Sequence, residues 1–224
     1  MSTFMPVREV CFICGEENEY TEVASTNTFG GSMDLDTRPP EMQRSTMPYW
    51  VQRCPGCGYV AGTVSDKTSV DRAFLESDAY RTCDGIAFDS GLAERFYRQY
   101  LILKADGKAE RAFYALLRVS WACDDADDEE NAVLVRGMAV EAADRLLQSC
   151  GAATKGFFTV IRADLMRRSG RLEELLEEYR DVKFGDKLYD DILDFERELA
   201  RRGRTDCLTI SDAEHFARGT FEWL

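Results

Sequence analysis

From Leu92 onward the apolar residues recur at helical spacing and hardly leave it, whereas before that position they fall in short runs broken by Gly, Pro and Cys. Leu92, Phe96 and Tyr100 form one stripe with Tyr97 and Leu101 beside it, and Asp106 and Gly107 close that helix. A second helix is expected from Lys108 to Cys123, burying Ala109, Phe113, Leu116, Leu117 and Trp121. The acid cluster DDADDEE that follows reads as a loop and a helix start, because carboxylates are favourable at the positive end of the helix dipole. The helix it begins runs to Ser149 with Val133, Leu134, Met138, Ala142 and Leu146 inward, and Gly151 stops it. Further helices are expected over about 156–169, 171–182, 187–202 and 212–222.

The N-terminal part shows shorter elements. Strand-like runs lie at Tyr20–Ala24, Tyr49–Gln52 and Tyr59–Val64, with breaks at Gly30, Gly31, Pro39 and Pro40. The stretch SDKTSVDRAFLESDAY opens with Ser65 or Asp66 as a cap and places Val70, Phe74 and Leu75 on one face of a short helix.

Two of the breaks carry the same chemistry. CFICG at 11–15 and CPGCG at 54–58 each read Cys, two residues, Cys, Gly. That spacing lets one tight turn aim two sulfurs at a common point, and two such turns complete a tetrahedron. Gly15 and Gly58 suit the left-handed conformation that closes the turn. Both pairs are followed by strand or loop residues rather than by the amphipathic helix that follows a redox CxxC. The expected site is therefore one structural zinc ion held by Cys11, Cys14, Cys54 and Cys57, with iron or a redox pair as the alternatives. Knuckles this far apart exceed the usual separation of about 15 to 20 residues, so the intervening segment becomes a long inserted loop.

That loop, with DLDTRP at 34–39, has two readings. In one it is a solvated excursion whose Asp34, Asp36 and Arg38 cap one another's turns. In the other, Asp34, Asp36, Arg38, Arg44, Tyr49 and Trp50 form a recognition surface, since long loops are often functional and Arg and aromatic side chains are favoured at binding hot spots. Asp34 and Asp36 face the same side of an extended stretch, yet two carboxylates are too few for a hard-cation site.

Gly170 and Gly203 are 33 residues apart, each after an Arg-rich helix end, and Gly107 occupies a comparable turn. Tetratricopeptide arrays have a period of about 34 residues. The expected fold class is thus α+β, mainly α: a small zinc ribbon with a long insert at 1–64, a linker with a short helix at 65–90, and a tetratricopeptide-like antiparallel helical array at 91–224, with an irregular helical bundle as the alternative.

Charge narrows the function. The 224 residues carry 41 acidic and 28 basic side chains, a formal charge of -13. Up to residue 90 there are seven basic and fourteen acidic side chains, so no basic domain is concealed there either. Nucleic acid is disfavoured as a partner, because its binding rests on Lys and Arg neutralising phosphates. The start lacks a signal-peptide layout and no apolar run reaches membrane-span length, so a cytoplasmic setting is expected. In a reducing compartment, Cys83, Cys123, Cys150 and Cys207 read as core or partly buried residues. His215 is the only histidine and reads as structural, which leaves His-rich catalytic zinc sites out of reach. No phosphate-cradling glycine loop is present.

The order CxxCG, FGGSMDLDTRPPEMQRSTMPYWVQ, CPGCGYV, then helices, resembles a group of bacterial proteins of unknown function with paired CxxC knuckles ahead of a tetratricopeptide-like region. The resemblance covers the N-terminal third and implies zinc binding by Cys11, Cys14, Cys54 and Cys57 in a bacterial cytosol. The function expected is a noncatalytic zinc-binding adaptor with a protein or peptide partner. Its alternatives are a zinc-linked redox sensor or redox-controlled chaperone, and an enzyme using the acids of the insert.

Overall fold

A computed structural model describes residues 2–223. Among these, ten α-helices and two small antiparallel sheets divide between two compact units, residues 2–30 with 41–132, and residues 31–40 with 133–223. This division differs from the segmentation at 64 and 90: the first two long helices belong with the cysteines, and ten residues of the long insert belong with the later helices.

In the first unit, β1 (Thr3–Val10) and β2 (Glu17–Ser25) form an antiparallel hairpin with Val10 opposite Glu17. The sequence pattern gave no strand before Cys11, because TFMPVREV does not alternate and contains Pro6, which a two-stranded edge tolerates. Most of this hairpin is exposed, including Phe4, Met5 and Val10. A second, much shorter hairpin joins β3 (Gln52–Arg53) to β4 (Val60–Ala61). After α1 (Glu41–Arg44), α2 (Arg72–Glu76) and α3 (Asp78–Arg81) come the two long helices, α4 (Gly91–Ala105) and α5 (Ala109–Asp124), which pack on each other. Ser90 caps α4 by accepting from the backbone N–H groups of Leu92 and Ala93. The expected core of this pair is present: Phe96, Tyr97, Phe113, Leu116, Leu117 and Trp121 are all buried.

In the second unit, α7 (Ala152–Arg168), α8 (Leu172–Glu178) and α10 (Ile210–Ala217) all pack on α9 (Lys187–Arg201). The helix α6 (Glu129–Ser149) begins in the first unit and continues in the second. Its inward face is the expected one only in part, with Ala142 and Leu146 buried. Val133 and Leu134 are exposed at 38% and 47%, while Ala132, Val135, Ala139, Val140 and Ala143 are fully buried. Small residues set the phase of this helix, since they permit close backbone approach where larger side chains would hold neighbours away.

The recurrent glycines have a local explanation. After α4, α7 and α9 the chain makes the same pair of hydrogen bonds: Lys108 N–H to Leu103 O with Gly107 N–H to Lys104 O, Arg171 N–H to Met166 O with Gly170 N–H to Arg167 O, and Arg204 N–H to Leu199 O with Gly203 N–H to Ala200 O. This is the Schellman stop, which satisfies carbonyls left over at a helix end and needs a left-handed residue. The same pair recurs after α5, at Asp127 and Asp128, and after α10, at Gly219 and Thr220, so one helix terminator is used five times among the described residues.

The insert residues 31–40 are integral to the second unit. Leu35 N–H donates to Leu208 O and Ile210 N–H to Met33 O, so Asp34 and Thr209 form an antiparallel bridge. Asp36 is fully buried and accepts from Arg168 Nη1 at 2.9 Å. Next to it lies a buried ionic cluster in which Arg167 Nε donates to Glu196 at 2.6 Å and Nη2 to Asp164 at 2.8 Å, while Nη1 donates to the Arg204 and Asp206 carbonyls. Burial raises the Asp164 carboxyl to about 8, with the charge of Glu196 adding to the rise and Arg167 opposing it.

Candidate metal centre

Both CxxC turns sit at the tips of hairpins, the first between β1 and β2 and the second between β3 and β4, and they are built alike. Cys11 N–H donates to Glu16 O at 2.9 Å and Gly15 N–H to Cys11 O at 2.9 Å; the second turn repeats this with Cys54 N–H to Tyr59 O at 2.8 Å and Gly58 N–H to Cys54 O at 2.9 Å. Gly15 and Gly58 have φ of 75° and 77°, the left-handed values that the sequence reading required of them. In each turn the first cysteine is buried, Cys11 at 1% and Cys54 at 0%, and the second, Cys14 or Cys57, is nearer the surface.

The four Sγ atoms lie within 4.8 Å of one another, with Cys11 to Cys57 at 3.6 Å and Cys14 to Cys54 at 3.5 Å. A tetrahedral ion with metal–sulfur bonds of about 2.3 Å would set its sulfurs about 3.8 Å apart, so the four positions fit one tetrathiolate ion. No sulfur pair is at bonding distance, and all four are free thiols. The four cysteines are positioned to bind a metal ion.

Several contacts fix the two turns with respect to each other inside this unit. Phe12 N–H donates to Val64 O at 2.9 Å, and Gln52 bridges by donating to Glu22 and accepting from Val64 N–H. Tyr80 of α3 donates its hydroxyl to Gly58 O at 2.7 Å, tying the second turn to the helical part. Burial pushes the Cys54 and Cys57 thiols up, so metal uptake there must displace protons. Cys14 differs: a hydrogen bond from the Glu16 backbone lowers it, and it is the exposed member of the set.

Of the six residues read as a recognition surface, three lie in each unit. Asp34, Asp36 and Arg38 lie in the second unit and are buried at 4%, 0% and 4%, which replaces the solvated excursion with packed interior. The mutual capping expected of them is there, as Arg38 N–H donates to Asp36 Oδ1 at 3.0 Å and Asp34 N–H to Arg38 O at 2.9 Å. Arg44, Tyr49 and Trp50 lie in the first unit. Tyr49 is exposed and packs its ring 4.6 Å from that of Phe4, while Trp50 donates to Thr46 Oγ1 and lies under the Arg118 guanidinium. Tyr49 also lines an open groove of about 400 Å³ with Tyr20, Val51, Arg53 and Arg95. The strand β1, whose Phe4 completes this region, carried no sequence signal.

Of the other cysteines, Cys83 and Cys123 are buried and Cys150 partly so, as expected; Cys207 is exposed, because it lies in the extended segment after α9 rather than on a helix, and its thiol donates to Asp34. His215 is exposed on α10 with Nδ1 3.0 Å from Thr220 Oγ1. No helix among the described residues is long and apolar enough to cross a membrane. No protein-family model, no curated protein and no solved structure matches the chain. The resemblance to a paired-knuckle bacterial family therefore rests on the residues at 11–58 alone.

Proposed function

We propose that Cys11, Cys14, Cys54 and Cys57 hold one structural zinc ion, and that the chain is a noncatalytic adaptor binding a protein or peptide. The convergence of four sulfurs carries this reading. Four thiolates saturate a tetrahedral ion and leave no vertex for water or substrate, so the ion fastens the two hairpins and does not react. The acids of the insert supply no competing chemistry, since Asp36 is committed to Arg168 inside the second unit. For the partner, the support is the groove beside Tyr49, whose ring packs on exposed Phe4. Aromatic and Arg side chains of this kind anchor interfaces when a partner excludes water around them.

Metal analysis of the purified chain tests the first part: one zinc per chain is expected, falling to none in Cys57→Ser. A full equivalent of zinc retained by that variant overturns the assignment. A Phe4→Ser, Tyr49→Ser variant that keeps its zinc is expected to lose whatever partner the intact chain retains under the same conditions.

The exposure of Cys14 favours a second reading, a zinc-linked redox sensor, because the accessible sulfur of the set is the one oxidants reach first. Peroxide titration with a zinc-release dye separates the two. Release at low oxidant, abolished by nothing but reductant, supports the sensor; retention supports the fixed ion.

A further inference from the structure

The first unit contains a second open cleft, of about 330 Å³, between the turn at 55–58 and the helices α2, α3 and α4. Its lining reverses the charge of the chain. Arg53, Arg72, Arg81 and Arg98 face it against a single carboxylate, Glu76, in a protein with 41 acidic and 28 basic side chains. Four positive groups less one negative leave +3 on the lining, and Glu94, which pairs with Arg98 at 2.6 Å, brings the local balance to +2 before the -2 of a tetrathiolate zinc ion, to which Cys57 of this lining would belong, is counted.

The four guanidiniums are not equivalent. Arg98 is the fixed one: its side chain is 13% exposed, it donates to Arg81 O at 2.9 Å as well as to Glu94, and its guanidinium carbon lies 5.7 Å from the Tyr80 ring centre. Burial raises the Tyr80 hydroxyl, and the charges of Arg98 and then Arg53 oppose the rise. Arg72 is held loosely by Glu76 at 3.3 Å on the exposed rim. Arg53 and Arg81 are exposed, and among the described residues neither side chain has an ion pair. Next to Arg81 and Tyr80 the backbone is strained: Cys83 and Asp84 both have positive φ, at 52° and 55°, without being glycine. Strain of this sort is held where the surrounding structure fixes a site.

All four positive groups are arginines, the side chain whose planar fork matches a tetrahedral oxyanion and whose charge persists at any working pH. The cleft volume sits at the small end of ligand sites, which run from about 300 to 1,000 Å³. We propose that this cleft binds a phosphate monoester dianion, with Arg98 and Tyr80 as its fixed wall and Arg53, Arg81 and Arg72 closing on the phosphate oxygens. Such a group can come from a phosphorylated peptide or from a small phosphorylated metabolite. The proposal needs only the cleft, and stands whether or not the adaptor reading does. The competing explanation is electrostatic: Cys57 also lines the cleft, and the arginines would then serve only to offset the negative charge of a tetrathiolate ion.

The test is calorimetric titration of the full, zinc-loaded chain with inorganic phosphate, with glucose 6-phosphate, and with a degenerate phosphoserine peptide beside its unphosphorylated twin. Phosphate is expected to bind, and the Arg53→Gln, Arg81→Gln variant to bind it at least about tenfold more weakly, since each charge-assisted contact is worth 1.5–3 kcal/mol. Both residues are exposed, so the variant should keep its fold, and an unchanged zinc content and circular dichroism spectrum would verify that. Arg72→Gln, on the rim, gives an independent and smaller loss. Tighter binding of the phosphopeptide than of its twin or of glucose 6-phosphate identifies a protein source; the reverse order identifies a metabolite; both support the site. The proposal is overturned by no binding of any probe at about 10 mM, by binding undiminished in the double variant, or by a double variant that loses zinc affinity instead. Tighter, steeply salt-dependent binding of a single-stranded oligonucleotide would overturn it in favour of nucleic acid.

Discussion

In the unit of residues 2–30 and 41–132, the least regular backbone is gathered around four sulfurs; in the unit of residues 31–40 and 133–223, it is gathered around Arg167 and Arg168. Both solve the same problem, which is to hold chain that cannot satisfy itself as helix or sheet. The first has little apolar core beneath its first hairpin, as β1 and β2 are mostly exposed, and a lone two-stranded hairpin is at best marginal in water. A metal ion suits it because the ion's binding energy is added directly to folding. The second has a helical core and can afford charge inside it. There the ions are amino acid side chains, and each buried charge is admitted only because several partners meet it. The difference predicts that one unit responds to chelators and the other to pH.

The largest effect should come from the sulfurs. Apparent zinc affinities in small finger peptides correspond to about 10 to 16 kcal/mol, comparable with the whole stability of a domain. Cys11→Ser or Cys57→Ser, or a strong chelator, should therefore melt both hairpins. Hydrogen exchange read by mass spectrometry is the measurement: amides of β1, β2 and the two turns should exchange freely while α7 and α9 keep their protection. Equal loss of protection in both would remove the distinction drawn between the units.

Next in size is Arg167→Met. Removing this guanidinium leaves the Asp164 and Glu196 carboxyl groups, both fully buried, without the donor each accepts from, and breaking a buried pair typically costs about 3 to 5 kcal/mol. Urea unfolding should show that loss with the zinc content unchanged. Asp36→Asn, which keeps the shape and one acceptor for Arg168, should cost less, about 1 to 3 kcal/mol.

The same cluster makes the second unit pH-sensitive, and its sign follows from the direction of the shift. The Asp164 carboxyl is raised from 3.8 to about 8 in the folded chain, chiefly by burial. Between those values the folded state holds a proton that the unfolded state has released. Its contribution to stability is complete below about 3.8 and is lost as pH rises to about 8, at up to about 1.4 kcal/mol per pH unit for one proton. Denaturant midpoints followed from pH 5 to 8 should fall for the helical unit and flatten in Asp164→Asn. A slope that survives this substitution would place the proton elsewhere.

How much of this could be read in the chain depends on whether the determinant is local. The metal cluster was legible because Cys-x-x-Cys-Gly encodes its own turn: five residues fix the hydrogen bonds and the left-handed glycine, and only the meeting of two turns is long-range. The helices α4 and α5 were legible because their stripes are long and Gly107 separates them. The three glycine stops were visible too, but their spacing suggested a repeat where the structure shows a shared terminator. Segment 31–40 was not legible, since DLDTRP carries the polar composition of a surface loop and its burial depends on Arg168, 132 residues away from Asp36. The phase of α6 is legible only in part: Ala142 and Leu146 are buried as expected, while Val133 and Leu134 turn outward and Ala132, Val135 and Ala139 turn inward.

The smallest test concerns the helix crossing on which the second unit depends. Gly156 lies inside α7, where glycine ordinarily costs about 1 kcal/mol relative to alanine. A Cβ added there would stand 2.6 Å from Cδ2 and 3.0 Å from Cε2 of Tyr189 on α9, so the ring occupies the space that a side chain would need. Propensity therefore argues for Gly156→Ala being stabilising, and packing argues against it. Overpacking costs typically about 1 to 3 kcal/mol, which exceeds the gain, and Tyr189 is further constrained by its edge-on contact with Phe184. The expected net is a loss of about 1 kcal/mol, recovered when Tyr189→Leu is added, because the shorter side chain vacates the site and leaves alanine's helix propensity unopposed. A Gly156→Ala chain more stable than its parent would mean that the two helices yield at this crossing, and that the second unit is held by its buried ions more than by the fit of its helices.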